Sequence, residues 1–156
     1  MYKALFILLV SAETFGSVCL ADDACPRTVV AAAPSSGSPP GRDQWYGGYS
    51  FAAHLPGDGI WPTTAPGNLI AVKLFWRSAG FRPGMESNLD VRVKPYGDPQ
   101  APSVVLRSTN AYVESLGGWT MLTGIDFPMA GCWEITGRYL GQELRFVVET
   151  VPSVSR

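Results

Sequence analysis

Histidine is almost missing from this chain of 156 residues, and His54 is the only one. A nucleophile–histidine–acid triad would have to use it, with Asp58 as the nearest acid, yet no nucleophile motif such as G-x-S-x-G is present. A zinc site needs three or four clustered His, Cys or acidic ligands. One histidine and a pair of cysteines in an oxidising compartment do not supply them, so no metal or cofactor is expected. The scattered acids Asp90, Asp98 and Asp126 lack calcium-loop spacing. Basic excess is missing too. Twelve Lys and Arg stand against 13 Asp and Glu, a formal charge of −1, which leaves no footprint for nucleic acid. No apolar run approaches the roughly 20 residues of a membrane-spanning helix. No segment keeps helical periodicity for three turns, so no glycine loop can cradle phosphate ahead of a helix.

What is present begins with a leader. Met1-Tyr2-Lys3 is a basic start, Ala4 to Val10 is apolar, and small residues follow through Ala21. This is the plan of a secretory signal peptide over residues 1–21, cut after Cys19-Leu20-Ala21. A lipid anchor on Cys19 is the rival reading, although Val18 stands where such sites take Gly or Ala. The cut removes Lys3 and Glu13, so 11 bases face 12 acids and the charge stays at −1. Cys25 and Cys132 remain. An even count in an exported chain favours a disulfide, against the alternative of two free thiols.

Residues 22–44 include AAAPSSGSPPGR, which can bury no apolar area and reads as a linker or irregular tail. Residues 45–151 form the folded part, followed by a short tail at 152–156. Candidate strands lie at 45–54, 69–77, 89–96, 103–108, 119–127, 132–139 and 143–150, separated by Gly, Pro, Asn and Asp clusters. Short strands at this spacing predict an all-β fold, a single antiparallel sandwich of about seven strands.

The stretch Phe127 to Glu149 spells a hairpin. Centring the turn on Leu140-Gly141 sets Arg138 opposite Glu143, Ile135 opposite Phe146 and Trp133 opposite Val148. One face is then apolar and the other carries an ion pair. A slip of one residue would turn the charges inward, so the register is strongly specified. Leu140 is a poor residue for a tight two-residue loop, and a four-residue loop in the same register is the alternative. Cys132 falls on the face away from Trp133, which suits a bridge to an outside tail. Strand 89–96 alternates, with Leu89, Val91 and Val93 on one side. Segment 69–77 mixes its faces, as a central strand covered on both sides would.

The blocks Cys25-Pro26, Trp45-Tyr46-Gly47, Leu55 to Trp61, Phe75-Trp76-Arg77, Thr109 to Tyr112, Gly118-Trp119 and Phe127 to Val148 together resemble a family of small exported bacterial proteins with an immunoglobulin-like β fold. The terminal F-P-x-x-G-C-W-E-I-T-G-R block is the most specific part. The stretch Phe51 to His54 departs from the pattern in lacking a tryptophan before Leu55, and Lys94-Pro95-Tyr96 replaces a more basic strand end. The resemblance implies fold and export. It carries no activity and no functional residues.

Function is therefore expected to be non-catalytic: binding, or a structural role in the envelope, on loops grafted to the sandwich. The aromatic excess includes Trp45, Tyr46, Tyr49, Trp61, Trp76, Tyr112, Trp119 and Trp133. Trp45, Tyr46 and Trp61, with Asp58 and His54 beside them, are the expected contact surface for a protein or glycan partner. The competing account has these rings cap the core. An alternative class is a small secreted hydrolase in which Glu114, Asp126 and Glu134 converge in space.

Overall fold

The alternating runs fold as strands in the computed structural model, which describes residues 24–30, 44–62 and 70–152. The leader, Cys19, the Ala/Pro/Ser/Gly stretch from residue 31 and the last four residues lie outside the described residues. Among the described residues ten strands follow in order: β1 (Trp45–Gly47), β2 (Phe51–His54), β3 (Ile60–Pro62), β4 (Ile70–Ser78), β5 (Asp90–Pro95), β6 (Val104–Leu106), β7 (Ser108–Val113), β8 (Gly118–Phe127), β9 (Gly131–Tyr139) and β10 (Gln142–Val151). They form two five-stranded sheets ordered β1-β2-β4-β8-β7 and β3-β10-β9-β5-β6. All pairings are antiparallel except β3 with β10, which is parallel. The architecture is an all-β sandwich. It has more strands than seven because the run 45–54 folds back on itself and two further segments, β3 and β7, join sheet edges.

The core lies between the sheets and is filled by one parity of each strand. Leu74 and Trp76 of β4, Val91 and Val93 of β5, Met121, Ile125 and Phe127 of β8, Trp133 and Ile135 of β9, and Phe146 and Val148 of β10 are all buried. Trp76 stacks on Phe51 at 5.5 Å and tilts against Phe146 at 5.7 Å. Gly137 makes this packing possible, because a Cβ built there would collide with the Trp76 ring.

The terminal hairpin has the expected register: Arg138 faces Glu143, Ile135 faces Phe146 and Trp133 faces Val148. Its loop has two residues, with φ +47° at Leu140 and +77° at Gly141. Positive φ at both positions is the type I′ pattern, which Gly141 supplies without strain and Leu140 does not.

Cys25 and Cys132 are joined by a disulfide, with Cα atoms 5.5 Å apart. The tail it anchors crosses the outside of β10. Thr28 N–H donates to Val147 O at 2.8 Å, and Val147 N–H donates back to Thr28 Oγ1 at 3.0 Å. Arg27 pairs with Glu149 at 3.0 Å, and Val30 N–H reaches Gly57 O. β3 covers β10 from Glu149 onward. The tail covers the edge at Val147, just before it, so the two together shield the last part of that edge, where an open edge would invite pairing with another chain.

Candidate functional site

The expected contact residues do not share one surface. β2 ends at His54, and the turn at Pro56 to Gly59 carries the chain from the first sheet into the second, which sends Trp45 and Trp61 to opposite sheets. Trp61 points inward against Phe127 at 5.9 Å and is 8% exposed. Tyr46 also turns inward and meets Phe146 edge-on at 6.0 Å. Trp45 takes the other parity of β1, beside His54 on the outer face, with the Arg77 guanidinium 4.4 Å over its ring. It too is only 8% exposed. Asp58 accepts a hydrogen bond from Ile60 N–H at 3.0 Å and so closes its own turn. Burial, and then the Arg77 charge, push His54 below its ordinary value of 6.5.

The three acids of the hydrolase alternative are also kept apart. Glu114 sits in a 3-10 turn (Glu114–Leu116) before β8, whereas Asp126 is near the far end of that ten-residue strand. At about 3.3 Å per residue they are separated by well over 20 Å. Glu134 lies on the second sheet, between Lys94 at 3.5 Å and Arg145 at 3.8 Å. Among the described residues no group of three His, Cys, Asp or Glu could hold a metal ion. No described helix is long and apolar enough to cross a membrane.

The exposed aromatic pair lies elsewhere. Tyr112 of β7 and Trp119 of β8 are opposite one another across the hairpin. Their rings meet edge-to-face at 5.7 Å, a geometry aromatic pairs favour. They remain 63% and 49% exposed. Trp119 has the parity of the buried Met121, Thr123, Ile125 and Phe127, so it belongs to the core-facing side of β8 at the strand's uncovered start.

An open groove of about 710 Å³ runs beside β7, and its lining reaches Asn110, two residues before Tyr112. One wall is Val105 to Asn110, and the other is the segment Glu86 to Asp90 that leads into β5. The walls are tied together: Ser108 Oγ donates to Ser87 O at 2.8 Å, and the Asn110 side-chain amide donates to Met85 O at 2.6 Å. Asn110 Oδ1 has no hydrogen-bond partner among the described residues. The groove thus offers carboxylates, hydroxyls, amides and the Arg107 guanidinium, and the ring pair lies further along β7.

A second recess of about 220 Å³ opens between the sheets beside β6. Its floor is Val93, Ile125, Phe127 and Trp133, and prolines 95, 102 and 128 line its mouth. The Trp133 indole N–H is engaged by Thr150 Oγ1 at 3.1 Å, so that ring presents only apolar surface.

Comparison with protein-family profiles, with curated proteins and with solved structures gave no match to this chain.

Proposed function

We propose that this chain is an exported, non-catalytic binding domain of the immunoglobulin-like sandwich class, and that it recognises a glycan through Tyr112, Trp119 and the groove beside them. The observation that carries the reading is the exposed ring pair, held on a two-stranded hairpin whose strand β7 also lines a polar groove at Ser108 to Asn110. Aromatic faces match the C–H face of a pyranose ring, and they are held at low entropy cost because a hairpin fixes them. Asn88, Glu86 and Thr109 supply the partners that sugar hydroxyls need. Export is supported by the leader and by a disulfide, which persists in oxidising compartments.

The test is a pair of variants, Tyr112→Ala and Trp119→Ala, assayed for retention on envelope polysaccharide and for stability. Both side chains are exposed, so each change is expected to alter stability by no more than about 0.5 kcal/mol. Retention is expected to fall by about tenfold or more, as for a contact worth at least 1.4 kcal/mol. Unchanged retention in both variants removes this reading.

A further inference from the structure

The outer face of the second sheet carries a different kind of recess. Pairing aligns its outward side chains in three rows across β5, β9 and β10. Lys94 is opposite Glu134 and then Val147, Arg92 opposite Thr136 and then Arg145, and Asp90 opposite Arg138 and then Glu143. Their neighbours Val91, Val93, Ile135 and Phe146 point into the core, so period-2 alternation puts all these rows outside. Thr136 occupies the centre of the grid. Around it, Arg92, Lys94, Arg138, Arg145, Ser103 and Glu134 line a hollow of about 180 Å³. Four of the lining residues are cations and one is an acid.

The acids on this face orient the guanidinium groups more than they occupy them. Asp90 takes Nε and Nη2 of Arg92 at 3.3 and 3.2 Å, and Glu143 takes Nε of Arg138 at 2.7 Å. Arg145 stands 3.5 Å from Glu143 and 3.8 Å from Glu134, ion pairs too long for a strong hydrogen bond. Each guanidinium has five N–H donors, so every fork keeps donors that these carboxylates do not use. Guanidinium forks flanking a hydroxyl are an arrangement that recognises a tetrahedral oxyanion, through short charge-assisted bonds.

We propose that this hollow binds a phosphate or sulfate group, held by Arg92, Arg138 and Arg145 over the Thr136 hydroxyl, with Lys94 adding charge at the rim. The site is on the outer face of the second sheet and does not depend on the ring pair.

The experiment is an NMR titration of the intact exported chain with sodium phosphate, against sodium chloride at equal ionic strength. Saturable shifts at Arg92, Thr136, Arg138 and Arg145 with phosphate alone are expected. Arg145→Gln, a change at an exposed side chain that preserves the fold, is expected to weaken phosphate about tenfold or more. Trp119→Ala is expected to leave phosphate affinity unchanged, so this site and the ring site fail separately. A second arm uses a hexose phosphate. Tighter binding than inorganic phosphate means the anion is carried on a saccharide, and equal binding means the free ion is the ligand. Equal, unsaturating shifts in phosphate and chloride, or an Arg145→Gln variant with wild-type phosphate affinity, overturn the proposal and leave the face as a self-paired ion lattice.

Discussion

His54 and Gly137 show how much single positions decide here. His54 is half-buried beside Trp45 and Arg77, and both its burial and the neighbouring charge disfavour its protonated form. The unfolded chain keeps the ordinary value, so it binds the proton that the folded chain resists. This group therefore favours folding fully at pH values above 6.5, and that contribution is lost as pH falls through 6.5 toward and past the lowered folded value. Denaturant melts of His54→Gln and wild type across that window should show a flatter pH dependence in the variant; identical slopes would contradict the account. Gly137 is constrained by space. A methyl group there meets the Trp76 ring, which is fully buried and stacked on Phe51. Gly137→Ala is expected to cost about 1–3 kcal/mol, the range for overpacking a core, readable as a lower urea midpoint at unchanged slope.

Among the elements, the tail and the last hairpin act as one unit. The disulfide spans 107 residues, for which the chain-entropy model gives about 4–5 kcal/mol before strain. Replacing both Cys25 and Cys132 by Ser is expected to lower stability by about 2–5 kcal/mol. It should also release the Val147 amide, now donated to Thr28, to faster hydrogen exchange. An unchanged exchange rate at Val147 would show that the tail holds its place without the bridge. The hairpin was readable residue by residue because its charges and apolar side chains alternate without a break. β7 was not: Ser108 to Val113 mixes small and polar residues and has no fully buried face. β3 has three residues ending in Pro62, too short for any periodicity, and pairs in parallel with β10, a contact that only the assembled sheet creates. The break inside 45–54 was marked by Gly47-Gly48, whose tight reversal makes two strands from one run.

At the scale of the whole molecule, the sandwich, its core residues and the disulfide were legible, whereas the exposed ring pair was not. Trp119 has the parity of a core residue, and what exposes it is where the covering sheet ends, a property of the assembly. Trp45 and Trp61 border Gly- and Pro-rich turns, which left a contact surface and a cap on the core both open. Arg77 covers one, and Phe127 packs against the other. The reflection of Tyr112 onto Trp119 across the Glu114–Leu116 turn was the available signal, had that hairpin been centred as the last one was. The central claim, that ligand contact is made at this pair, can be read from the chain's five tryptophans. Four are at most 8% exposed, and Trp119 is 49% exposed. Titration with soluble envelope oligosaccharides, followed at the five indole N–H resonances by NMR, is predicted to shift Trp119 saturably and leave the other four in place. No movement of Trp119, or larger shifts at Trp45 or Trp61, would contradict it.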